Sequence, residues 1–192
     1  MLTNFHLTGL FNRGDHVELH HIRLQQSLQN AQAAMWNRQL MDFIKEMDAI
    51  DFDAGYTPEG HERFKLDDFE LPKGLDGENS NSVTNLPPLA EKDAGRDALQ
   101  ALVAFARTEK AGEFILFQNF IPSHLIKPGR SLFLSKDTYR ELNTPLIVLD
   151  TKLAAVYVAK KRRLLFSNFR ITNTFLPLHD YYQEASEEEI MS

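Results

Sequence analysis

The stretch LAAVYVAKKRRLLFS, residues 153–167, decides how the chain is read. Two brief apolar runs, Leu153–Val158 and Arg163–Ser167, flank the basic residues Lys160, Lys161 and Arg162, and runs of that length joined by a polar turn predict an antiparallel β-hairpin with a cationic tip. Working outward, Glu113–Phe120, Ser131–Ser135 and Leu146–Leu149 are also short and rich in β-branched and aromatic residues. Pro122, Pro128-Gly129, Asn143 and Pro145 separate them, so the region predicts a mostly antiparallel meander. Beyond the hairpin, residues 169–185 predict short helical turns packing Phe175, Leu178 and Tyr182 on the sheet, followed by the acidic tail Glu187–Glu189.

Upstream, Asp93–Arg107 carries Leu99, Leu102, Val103 and Ala106 at helical spacing, with Asp93 or Asp97 near the positive N-terminal end, which predicts a helix. Residues 48–92 are punctuated by Gly and Pro and crowded with Asp and Glu, the signature of a loop or linker; Lys73–Asn85 is its most polar piece and is expected to be disordered, and a short strand is expected at Glu62–Leu66. Ser27–Met47 has no Gly or Pro and places Leu28, Ala31, Met35, Leu40, Phe43 and Met47 at spacings of three to five, predicting one amphipathic helix with Trp36 as a packing anchor. Residues 1–24 predict a β-hairpin around Asn12-Arg13-Gly14-Asp15, with Phe5, Leu7, Val17, Leu19 and Ile22 in its strands. The expectation is an α+β fold: hairpin and long helix in 1–48, flexible acidic linker in 49–92, and a helix plus antiparallel sheet capped by short helices in 93–192, the last forming one domain with 1–48.

Length and composition are consistent with that. A chain of 192 residues with 43% hydrophobic and 25% charged residues suits one globular domain. No apolar run approaches 18 residues, and Met1–His6 lacks the basic and apolar regions of a secretion signal, so a cytoplasmic protein is expected. The absence of cysteine removes disulfides, thiol catalysis and every Cys-based metal site.

The net charge of −6 conceals segregation: residues 42–93 hold 14 Asp or Glu against 5 Lys or Arg, and residues 127–170 hold 10 Lys or Arg against 3 Asp or Glu. Cations fixed on a sheet are what a phosphate backbone binds with release of counterions, so nucleic acid is a candidate partner. The candidate contacts are Lys160, Lys161, Arg162, Arg163 and Arg170, with Phe166 and Phe169 close by in sequence. The competing reading, a solvated tip that keeps strand edges unpaired, needs no partner at all. An acidic linker beside a basic face also has the charge to fold back on it and compete with a polyanion.

Catalytic and metal motifs are sparse. His16, His20 and His21 have a spacing that would suit a helix, but the segment reads as a strand, where positions 16 and 20 stand roughly 13 Å apart. Asp51, Asp53 and Glu62 copy positions 1, 3 and 12 of a calcium loop, yet Gly55 and Tyr56 occupy positions where an oxygen ligand and a glycine are required. A metal-dependent nuclease would draw on Asp137, Glu141 and Asp150 with Lys152, although Asp150 reads better as a turn former. No catalytic residue, metal, cofactor or small-molecule ligand is expected.

The succession Phe114–Phe120, Leu125-Ile-Lys-Pro-Gly129, Leu146–Asp150, Ala155–Val158, Leu164–Asn168 and Phe175–Leu178 resembles the B subunit of the bacterial Kiwa anti-phage defence system. The resemblance covers about residues 113–185, with Leu149-Asp150, Leu165–Asn168 and Phe169–Phe175 in the order found there. Members of that family are generally longer, so a short or truncated member is expected. The resemblance implies a cytoplasmic DNA-binding component without catalysis, partnered with a small transmembrane subunit that recruits it to the inner face of the membrane; a homo-oligomer is expected too. The alternatives are an interaction module in which an exposed strand such as Leu153–Val158 adds to a partner's sheet, and the nuclease.

Overall fold

In a computed structural model that describes residues 1–90, 99–129 and 131–181, the run ALVAFA at 101–106 is an extended strand with every residue buried. It lies inside an α+β fold built on one mixed sheet of eight strands. In chain order come β1 (Thr3–Asn12), β2 (Val17–Ile22), helix α1 (Gln26–Ile44), β3 (Asp48–Asp51), β4 (Glu62–Leu66), β5 (Ala101–Thr108) and β6 (Gly112–Asn119). The small strands β7 (Leu125–Ile126), β8 (Leu132–Ser135), β9 (Thr138–Glu141) and β10 (Leu146–Ile147) follow, then β11 (Ala155–Val158), β12 (Arg163–Phe166) and the one-turn helix α2 (Phe169–Thr172). The sheet order is β2-β1-β5-β6-β11-β12-β4-β3, antiparallel throughout except between β3 and β4.

Both faces of this sheet are apolar. Along β5, Ala101, Val103 and Phe105 join one core with Phe64, Phe117 and Phe166, while Leu102, Ala104 and Ala106 join a second with Trp36, Leu40 and Phe43. This overturns the helix expected at Asp93–Arg107, at least over 101–107; residues 91–98, with Asp93 and Asp97, lie outside the described residues. A strand covered on both sides is continuously apolar, so it satisfies helical spacing as readily as any other and periodicity cannot discriminate.

Helix α1 covers the second face through Trp36, Gln39, Leu40 and Phe43, all buried at spacings of three and four. Trp36 is the packing anchor expected of it, with no solvent exposure, but the stripe starts only there: Leu28 and Ala31 remain exposed. Two buried amides tie helix to sheet, since Gln118 Nε2 donates to Gln39 Oε1 at 2.7 Å and both side chains donate to the Asp150 carbonyl, at 3.0 and 3.1 Å. The first hairpin turns where expected: Gly14 sits at φ +94°, and the Asn12 side chain accepts from its N–H at 2.9 Å.

The other face is covered by residues 67–90 and by the segment after β12. The expected linker is thus largely a packed cover, and the disorder expected at Lys73–Asn85 is replaced by order: Phe69, Leu75 and Val83 have no exposure, and a 3-10 turn spans Ser82–Asn85. Three apolar anchors among many polar residues suffice because the polar ones bond locally, Ser82 to Glu78 and Asn79, and Ser80 to Glu113. Gly74 pins the segment to β2. At φ +94° it brings Lys73 O within 2.9 Å of Val17 N, and a Cβ there would lie 1.9 Å from Val17 O. Residues 87–89 continue along the edge of β2, where His21 N donates to Pro87 O at 2.8 Å and Leu89 N to His21 O at 2.9 Å. Strand β4 falls at the expected Glu62–Leu66, whereas β3, read as linker, pairs with it.

Asn168 caps α2 by accepting from Ile171 N at 3.0 Å, and Phe175 and Leu178 are buried as expected. Tyr182 and Glu187–Glu189 lie outside the described residues. Away from the core, β8 and β9 form a separate two-stranded ribbon on which Leu132, Leu134 and Tyr139 are 68%, 57% and 67% exposed. The Leu75→Ala variant, which empties a site with no solvent exposure, is expected to lose about 2–5 kcal/mol in urea unfolding. A loss under about 0.5 kcal/mol would mean that residues 67–90 are a loose tether.

Candidate nucleic-acid interface at one end of the sheet

Strands β11 and β12 form the expected hairpin, with Ala155 opposite Phe166 and Val158 opposite Arg163. The tip is one 3-10 turn, Ala159–Lys161, closed by Arg162 in the left-handed region at φ 48° and ψ 39°, whose N–H donates to Ala159 O at 3.1 Å. That conformation is uncommon for a side-chain-bearing residue. Here the Arg162 carbonyl also accepts from Phe69 N at 2.8 Å, so the covering segment holds the turn in place.

The four cations of the tip divide into two kinds. Arg163 grips Asp67 with two bonds, Nε to Oδ1 at 2.5 Å and Nη2 to Oδ2 at 3.0 Å, and Arg162 Nη2 lies 4.0 Å from Glu70 Oε1. The hydrogen bond from Arg163 holds the Asp67 carboxyl below its ordinary range, with the charges of Arg163, Lys65 and Lys161 adding to the effect. Acidic residues after β4 have therefore folded back onto the basic turn. Lys160 and Lys161 are exposed and have no carboxylate within 4.0 Å among the described residues. They, not the arginines, present open positive charge.

Topology adds a cation that the sequence did not single out. Thr108 pairs with Gly112 and Phe114 with Val158, so the β5–β6 turn stands at the same end of the sheet as the basic tip, about two strand spacings away from turn centre to turn centre. Lys110 in that turn is exposed, while Arg107 beside it is held by Glu113 at 3.1 Å. In the sequence Lys110 follows a run with helical spacing, which hides the polar turn between two apolar strands.

The remaining cations are elsewhere, which corrects the picture of one basic sheet surface. Arg170 is exposed on α2, past the opposite end of β12 from Arg163. Lys127, Lys136, Arg140 and Lys152 belong to the excursion between β6 and β11, which leaves the sheet at its other end, beyond Asn119. Strand Ala155–Val158 is internal, paired on both sides, and has no free edge to offer a partner as had been expected.

The other motifs serve local structure. His16 meets Asp15 at 2.7 Å and His20 meets Glu18 at 2.6 Å. Asp53 caps Gly55 N, and Glu62 accepts from Tyr56 and Glu59 N, both at 2.7 Å. Asp150 Oδ1 accepts from Thr151 N and Lys152 N, the role of a turn former, while Asp137 and Glu141 sit on the β8–β9 ribbon. Among the described residues no three His, Asp or Glu side chains gather in a way that holds a metal ion, and no helix is long and apolar enough to cross a membrane.

No protein-family model matches the chain, and no curated protein or solved structure matches it significantly.

The clasp between Asp67 and Arg163 makes a pH-dependent contribution of definite sign. The folded-state pKa of Asp67 is lowered, so its stabilisation is present above the unfolded value of about 3.9 and is lost as pH falls through the folded value. Asp67→Asn is expected to lower the urea midpoint at pH 6, with the gap to the parent closing below about pH 4. A gap that stays constant from pH 6 to pH 2 contradicts the clasp.

Proposed function

We propose that the chain is a non-enzymatic DNA-binding component of a bacterial anti-phage defence system. In this reading it is cytoplasmic, works as a homo-oligomer, and is brought to the inner face of the membrane by a small membrane-embedded partner subunit. The defence setting and the partner come from the resemblance of residues 113–185; the support for DNA contact is the charge exposed at one end of the sheet. The observation that carries it is that Lys160, Lys161 and Lys110 are exposed on turns at the same end of the sheet, without carboxylate partners among the described residues.

Three lysines on turns held by a rigid sheet give a sequence-independent phosphate contact, since nothing about them selects a base edge. Arg162 and Arg163 are a reserve. Their bonds to Glu70 and Asp67 lie at the surface, where ion pairs are worth little, so a phosphate backbone arriving at the lysines competes for both guanidinium groups. Asp67 and Glu70 thereby weaken the attraction of the turn for a polyanion by a small amount. Arg170 stands too far along β12 to share the same contact and would touch DNA only as a second point.

One feature favours a second reading, an interaction module without nucleic acid. The β8–β9 ribbon has no further strand on either edge among the described residues and exposes Leu132, Leu134 and Tyr139, which suits docking by strand addition.

Gel shifts with duplex DNA across a salt series separate the readings. The triple variant Lys110→Gln, Lys160→Gln, Lys161→Gln is expected to weaken binding and to reduce the slope of log K against log salt by about 2–3, near 0.9 for each lost phosphate contact. Asp67→Asn with Glu70→Gln is expected to tighten binding at the same salt. Binding that ignores both sets of changes overturns the site, and loss of binding on Leu132→Asp with Tyr139→Asp moves it to the ribbon.

A further inference from the structure

We infer that the cleft between the start of β1 and the exit of β2 binds a small phosphomonoester of nucleotide size. The cleft encloses about 440 Å³, within the range of small-molecule sites, and has polar and apolar walls. His6, His21 and Arg23 supply nitrogen donors, and Phe5, Ile22 and Leu24 supply the apolar side.

The side chains here lack what a purely structural cluster would contain. His6 and His21 meet edge to face with ring centroids 5.8 Å apart, and Arg23 follows two residues after His21. Three cation-forming groups share one cleft whose lining, among the described residues, includes no carboxylate. Among the described residues, the charged groups acting on His21 are His6 and Arg23, and both disfavour its protonation; on His6 burial alone acts. The buried Nδ1 of His21 has no hydrogen-bond partner, and Arg23 is exposed without an ion pair among the described residues. His6 Nε2 is engaged only by the neutral Asn4 side chain, at 3.2 Å. Helix α1 begins just past Leu24 with neither a side-chain cap nor an acidic residue in its first turn, so its N–H end adds positive field. A phosphate in this cleft would accept from Arg23 and draw on the positive charge of either imidazole once it takes up a proton, while the buried Nδ1 of His21 stays out of its reach. The apolar wall gives room for the ester group, which distinguishes such a ligand from a bare anion or a DNA backbone.

Burial holds both imidazoles below their ordinary values, so the cleft gains positive charge as pH falls. Binding is therefore expected to strengthen from pH 8 to pH 6. The test is imidazole NMR on the full chain with adenosine monophosphate, with inorganic phosphate and with a DNA duplex as separate probes, alongside calorimetry. Adenosine monophosphate is expected to move the His6 and His21 resonances and raise both titration midpoints, inorganic phosphate to do so more weakly, and Arg23→Gln to reduce affinity about tenfold or more. Because Arg23 is exposed, that variant keeps the fold, and His21→Asn provides a second one. Unmoved His6 and His21 resonances at millimolar adenosine monophosphate overturn the inference. So does movement by the duplex alone, which would make the cleft part of a polyanion surface.

Discussion

Everything in this molecule follows from a sheet whose two faces are both apolar. Strands β5 and β6 bury side chains in alternating directions into two separate cores, and neither core exists unless something covers it. Helix α1 covers one. The other is closed by two pieces of irregular chain, residues 67–90 and the segment from α2 to Tyr181, which carry Phe69, Leu75, Val83, Phe175, Leu176 and Leu178 down onto the sheet. Burial of that many large side chains outweighs the entropy of ordering a polar segment, which is why a stretch with the composition of a tether is structured.

The same covering demand shapes the electrostatics. To reach the face it covers, the chain leaving β4 must pass the β11–β12 turn, and it passes with Asp67 and Glu70 on the side of Arg163 and Arg162. Two of the four cations that looked most available are consequently engaged within the molecule, and the open charge moves to Lys160 and Lys161 beside Lys110. Charge segregation along the sequence is thus partly cancelled in space. What remains open at this end of the sheet is Lys160, Lys161 and Lys110, with Asp67, Glu70 and Glu109 close to them in the chain or in space.

The elements read correctly are those whose side chains face only one core or whose turns carry their own chemistry. The β1–β2 hairpin announces itself through Asn12 and Gly14, the β11–β12 hairpin through two apolar runs around a basic turn, and α1 through Trp36, Leu40 and Phe43. Those misread are the ones whose environment is non-local. Strand β5 looks helical because Ala101–Ala106 is apolar at every position, and β3 looks like loop because Asp48–Asp51 is a short, mostly exposed edge strand. Of the candidate site, Lys160 and Lys161 were legible from a charged turn alone. Lys110, distant in sequence, was not, and neither was the meeting of His6 with His21 across β1 and β2.

By itself, the amino-acid order determined that the chain is α+β, that it lacks cysteine chemistry, where the β1–β2 and β11–β12 hairpins turn, and that its positive charge is concentrated late. Those properties depend on neighbours within a few residues or on simple counting. Only the tertiary structure decided which strands lie inside the sheet, that an acidic stretch folds over the second core, which cations stay open, and that three basic side chains share a cleft. Each of these depends on contacts between segments tens of residues apart, and such contacts are chosen by the shared need to bury two apolar faces, a constraint that acts on the whole chain and leaves no mark on any local pattern.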